Sequence, residues 1–189
     1  MGYSFDEKTK SESINKNFES GIHTGVELES VLFISPYNDG SGSPVLTFNF
    51  KGANGETYKH LEWEVGDQAT DIAKSQEALA KRVKHILTKF IPEEDCKLSG
   101  SNYAEFSNGV IALLGSNNVG KKVAIKLVYN AKGNVGFTKY VGFIANDAKD
   151  LRIGNSELMT IPSATPSTQA DLGLEDLPKD TEPSNELPF

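Results

Sequence analysis

The chain has 189 residues, 38% of them hydrophobic and 24% charged, with a formal net charge of −7. That composition fits a globular domain with a real hydrophobic core, and no run approaches the roughly 20 apolar residues that span a bilayer. One cysteine, Cys96, excludes an internal disulfide and makes a reducing, cytoplasmic setting the expectation.

Residues 1–21 are polar and mixed in charge and read as a flexible arm; the opening Met1–Lys8 carries no basic-then-apolar leader. From Gly25, alternation of Val26, Leu28, Leu32 and Ile34 with Glu27, Glu29 and Phe33 predicts a strand. A turn-rich loop, Ser35 to Pro44, contains Tyr37, which suits either a clamp or a turn. Val45 to Phe50 predicts a second strand. Asn54-Gly55 supplies a hairpin turn, because both positions tolerate positive φ. The returning strand, Thr57 to Val65, sets Leu61, Trp63 and Val65 on one face and Tyr58, His60, Glu62 and Glu64 on the other.

After Gly66 the period changes. Ile72, Leu79, Val83, Ile86, Leu87 and Phe90 form one helical stripe stopped by Pro92, with Asp67 or Asp71 available as its cap. The apolar run Gly109 to Leu114 reads as a further strand. A second hairpin follows: Val123, Ile125, Leu127 and Tyr129 alternate inward, Ala131 to Asn134 turn, and Val135 to Ile144 return. Three strands, one long helix and two more strands is the order of an OB fold, a five-stranded antiparallel barrel with its helix between strands three and four; a β-sandwich with one helix would read similarly. The expected organisation is therefore an arm over 1–21, an OB-fold domain over 22–159 and a disordered acidic tail over 160–189.

Charge is unevenly divided. Met1 to Cys96 hold 10 bases and 16 acids, whereas Lys97 to Arg152 hold 8 bases and 3 acids, a net of +5. The stretch from Pro162 to Phe189 has six acids and the single base Lys179, a net of −5, among Pro, Ser and Thr that cannot build a core. The basic second half thus stands beside an acidic tail.

Catalytic patterns fare badly. Gly115 to Lys122 matches a phosphate loop until its last position, where Lys122 replaces the magnesium-binding Ser or Thr, and the following residues alternate like a strand. His23, His60 and His85 have no ligands at metal spacing, so no metal, cofactor or enzymatic activity is expected. Cations interleaved with rings point elsewhere. Lys121, Lys122, Lys126, Lys132 and Lys139, with Phe137 and Tyr140, offer charges for phosphates and flat faces for unpaired bases. On the third strand, Tyr58 and His60 suit stacking if they face outward, and Trp63 suits either the core or the same platform.

The acids followed by Leu187-Pro188-Phe189 resemble the ending of bacterial single-stranded DNA-binding proteins, whose acidic tails close on Ile-Pro-Phe; phage single-stranded DNA-binding proteins likewise join an OB fold to an acidic tail. The likeness is specific over the last few residues and general over Gly25 to Asp150. It implies a non-enzymatic protein that binds and protects single-stranded DNA during replication, recombination or repair. It also implies that Asp180, Glu182, Glu186, Leu187, Pro188 and Phe189 engage replication or recombination proteins, in the host cytoplasm if the chain is phage-encoded. No membrane partner is implied, and a homo-oligomer is compatible with it. The long helix and the insertion before Gly115 favour the phage type. Two other readings share the pattern: a β-rich phage structural or assembly protein with a docking tail, and a sugar-binding β-domain.

Overall fold

The computed structural model describes residues 16–36, 42–115, 120–138, 142–154 and 157. Six strands and two α-helices follow in the order β1 (Gly21–Ile34), β2 (Val45–Lys51), β3 (Thr57–Trp63), α1 (Ile72–Leu87), α2 (Tyr103–Leu114), β4 (Lys122–Tyr129), β5 (Val135–Gly136) and β6 (Ile144–Ala145). The strands form one antiparallel sheet in the order β3-β2-β1-β4-β5, with β6 also on β4. The chain is mainly β, and among the described residues the sheet is open, since no ladder joins β3 to β5.

The length of β1 is what allows this order. Its first half pairs with β4 and its second half with β2, and the register shifts between His23 and Val26 and again between Leu28 and Ser30. Such bulges bend a strand and sharpen its twist; Gly25, at φ +68°, supplies the backbone freedom for the first. The β2–β3 hairpin turns at Asn54-Gly55 as expected, with Gly55 at φ +85° and Gly52 N–H donating to Glu56 C=O at 2.8 Å.

Both helices cover one face of the sheet. Leu79, Val83, Ile86 and Leu87 of α1, with Phe90 beyond it, pack with Leu28, Leu46, Phe48, Phe50, Val123, Ile125 and Leu127. The helical stripe therefore forms as predicted except at its start, where Ile72 is exposed. Asp71 caps α1, its carboxylate accepting from Lys74 N–H at 2.9 Å.

Two expectations are corrected. Gly109 to Leu114 is no strand but the second half of α2, so two helices, not one, separate β3 from β4. Asn102 Oδ1 accepts from Glu105 N–H at 2.9 Å, and Glu105 in turn accepts from Ser101 N–H at 2.9 Å. This reciprocal cap starts a helix where a strand has no use for it. The return of the second hairpin is also not a continuous strand from Val135 to Ile144. It pairs with β4 at Val135-Gly136, leaves the ladder, and rejoins at Ile144-Ala145. Phe137 and Phe143 bracket that excursion, stacked with ring centroids 4.4 Å apart and planes at 24°. Phe143 is buried in the core and Phe137 is partly buried against it, so stacking and apolar burial favour the departure from the ladder.

The polar arm read over 1–21 ends in ordered structure: Asn17 bridges to Thr57, and Phe18 is buried in the core. Gly52 leaves room for that ring, since a Cβ there would lie 2.8 Å from Phe18 Cζ. Gly52→Ala is expected to destabilise the chain by about 1–3 kcal/mol through overpacking, measured by urea denaturation. An unchanged midpoint would mean Phe18 is not fixed there. Residues 1–15 and the tail over 160–189 lie outside the described residues.

Candidate nucleic-acid interface

The parity of β3 decides which rings can meet a ligand. Across the Asn-Gly turn, Phe50 pairs with Tyr58 and Phe48 with His60. Phe48 and Phe50 belong to the core, so Tyr58, His60 and Glu62 point inward with them. This reverses the outward placement expected for Tyr58 and His60. Tyr58 stacks on Phe50 at 6.3 Å and meets Phe137 edge-on at 4.9 Å, while His60 lies 4.8 Å from Phe137. The Tyr58 hydroxyl accepts from Phe137 N–H at 3.0 Å. Burial pushes its pKa up to about 12 against the opposing pull of that N–H. Tyr58, His60 and Phe137 are thus brought together, as an internal aromatic seam between β3 and the end of β5.

Glu62 closes the inner row. It is 2% exposed and receives two bonds from Arg82 of α1, Nε to Oε1 at 2.8 Å and Nη2 to Oε2 at 2.6 Å. His60 Nε2 lies 2.9 Å from the same Oε1. Burial raises the carboxyl's pKa, but the bonds from Arg82 and His60 outweigh it and hold the group below its ordinary value. Tyr103 of α2 donates to Glu62 C=O and accepts from Leu46 N–H. The inner face of β3 is thereby committed to both helices.

The outer face of β1–β2–β3 has a different character. Register aligns Trp63 with Val45 and Ile34, Leu61 with Thr47 and Leu32, and Lys59 with Asn49 and Ser30. Leu32 is 49% exposed, Trp63, Leu61 and Ile34 are half-buried, and Lys59 and Lys51 are exposed. An apolar, ring-bearing end of the face therefore runs into a cationic and amide-bearing end. Lys51 lies 3.4 Å from Glu29, whereas Lys59 has no ion-pair partner among the described residues. Asn49 Nδ2 donates to Ser30 Oγ at 2.8 Å, tying the two polar residues of this row together.

Among the described residues, the second-half lysines do not form one track with these rings. Lys126 is the clearest correction: it faces away from the core as parity requires, yet it is buried. Its Nζ donates to Arg152 C=O at 2.8 Å and to Glu157 Oε1 at 2.7 Å. The segment around Ala148 and Leu151 packs over Ala124 and Ala145 there and covers that side of β4. Lys121 Nζ donates to Phe90 C=O beyond the end of α1, as cations near helix C-termini do. Lys122 is exposed, 3.6 Å from Glu27. Lys132 is exposed on the hairpin turn, its backbone N–H held by Asn130 Oδ1 at 2.8 Å. Lys139, Tyr140, Tyr37 and the tail residues Asp180, Glu182, Glu186, Leu187, Pro188 and Phe189 lie outside the described residues.

Sequence reasoning passed over Lys59, Leu61, Leu32 and Asn49. The available signal was the pair of phenylalanines in β2: counted across the Asn-Gly turn, they assign Tyr58 and His60 to the core and the odd-numbered residues of β3 to the outside. Among the described residues no group of His, Cys, Asp and Glu is placed to hold a metal ion, and no helix is long and apolar enough to cross a membrane. No protein-family model matches the chain, and a search of curated proteins finds no match.

Proposed function

We propose that the protein binds single-stranded DNA, without strong sequence preference, across the outer face of β1–β2–β3, as a non-catalytic protein of replication, recombination or repair. One observation carries the reading: Trp63, Leu61 and Leu32 lie in register beside Lys59, which has no ion-pair partner among the described residues, and the exposed Lys51. Unpaired bases need an apolar or aromatic platform, and their phosphates need cations at its margin. Duplex DNA hides its base faces and gains only the second term.

The strand order supports an OB-type scaffold. In that fold the first strand pairs with both the second and the fourth, and the face of strands two and three carries nucleic acid. Here β1 pairs with β2 and β4, and the Tyr58–Phe137 bond brings the two outer strands of the order together. On this reading the barrel closes through aromatic side chains where a backbone ladder would otherwise run. Lys122, paired with Glu27 of β1 in the same row as Lys51, adds a cation to this margin, and the acidic tail recruits partner proteins through Leu187-Pro188-Phe189.

On this reading the tail's net −5 competes with phosphate for the same cations, since a random chain of about 30 residues reaches roughly 30 Å. Deleting Asp180 to Phe189 is expected to tighten oligonucleotide binding several-fold at low salt and to change little at high salt, where screening removes the competition. Fluorescence anisotropy of a labelled single strand measures this; an unaltered low-salt affinity would remove the competing role.

A further inference from the structure

Beyond the end of β3, a cavity of about 340 Å³ opens between α1 and the start of α2. We infer that it accepts a basic side chain, an arginine, presented by a protein partner. This inference does not rest on the DNA-binding reading.

The floor is Leu79, which belongs to the core, and the walls include Tyr103 and Phe106, stacked at 6.4 Å and 23°. The Tyr103 hydroxyl bridges Leu46 N–H and Glu62 C=O, so its ring is held in place before any ligand arrives. Glu64 is the single charged residue among the ten that line the cavity, and no cation pairs with it among the described residues. The helix end adjoining the cavity does not counter that charge. Glu105 N–H is turned to Asn102 Oδ1, and the Glu105 carboxylate takes both the N–H and the hydroxyl of Ser101, at 2.9 and 2.7 Å.

Two fixed aromatic rings, one open carboxylate and an apolar floor define a cation site. A guanidinium stacks on ring faces and pairs with a carboxylate through two parallel bonds, while its methylenes cover apolar surface. Phosphate and acidic tails are repelled by the same Glu64. The exposed amide of Gln76 at the lining can bond the flanking peptide backbone, which favours a polypeptide over a free amine.

The test is a nitrogen-15 chemical-shift titration of the full chain with the capped peptide Ac-Gly-Arg-Gly-NH2, its citrulline counterpart, and ethylguanidinium. The arginine peptide is expected to move the amide signals of Leu79, Ala80, Gly100 and Phe106 saturably, with the neutral citrulline peptide about tenfold weaker. Glu64→Gln, on an exposed side chain, is expected to erase that difference without altering the fold. Equal response to arginine and citrulline, or shifts confined to other surfaces, would overturn the cation site. Ethylguanidinium binding as tightly as the peptide would overturn the partner assignment.

Discussion

Arg82→Ala is expected to cost about 3 kcal/mol of folding stability at neutral pH, a large share of the roughly 5–15 kcal/mol typical of a domain. The substitution leaves Glu62 at 2% exposure with only His60 to balance a buried carboxylate. Removing one partner of a buried pair costs more than the pair itself contributes, because the orphaned charge stays desolvated. The value sits at the low end of the usual range because Arg82 is itself partly exposed, at 30%. The pH dependence supplies a second signature. With its native pKa held below the ordinary 4.5, Glu62 contributes stability that is present above that value and lost as pH falls through the native one. Below that point the carboxyl is neutral in both proteins, so the gap between wild type and Arg82→Ala should narrow. Urea denaturation at pH 7 and at stepwise lower pH measures it. A gap that stays constant into acid would mean the pair does not carry the effect.

Trp63→Ala is expected to weaken single-stranded DNA binding by about 5-fold to 150-fold, the range that follows from 1–3 kcal/mol for one stacked base. Duplex affinity should change far less. Tyr58→Phe is the matched control on the same strand. It keeps the ring and removes the hydroxyl that accepts from Phe137 N–H and lies 3.5 Å from His60 Nδ1, so it should cost about 1 kcal/mol of stability and leave affinity unchanged. The reverse pattern, with Tyr58 sensitive and Trp63 silent, would return the binding face to the inner side of β3.

Much of the scaffold could be read from the residues. Alternation located β1 to β4, Asn54-Gly55 located the first hairpin, and the stripe from Leu79 to Phe90 located α1. What escaped has specific causes. The helix α2 hides because Gly109 weakens its interior; a Cβ there would lie 2.9 Å from Leu98 Cδ2, so the glycine lets Leu98 pack close against the helix. The signal that survives is Ser101-Asn102 followed by Glu105, a cap with no use in a strand. The broken return of the second hairpin was not legible, because nothing local to Phe137 and Phe143 says that they will stack with each other and with Tyr58 and His60 from β3. Lys126 escaped for a related reason. Its strand parity points it away from the core, but its burial depends on Arg152 and Glu157, far along the chain. For Lys126, Phe137 and Phe143, long-range partners rather than local propensity decided the outcome.

The most direct measurement is an anisotropy titration of the full chain with a labelled single strand and the same sequence as a duplex, at two salt concentrations, repeated with Lys59→Ala. The account predicts that the single strand binds more tightly and that its affinity falls steeply with salt. It also predicts that Lys59→Ala lowers the slope of log affinity against log salt by about one, the loss of one phosphate contact. Indifference to single strands at low salt, or a slope untouched by losing Lys59, would contradict it.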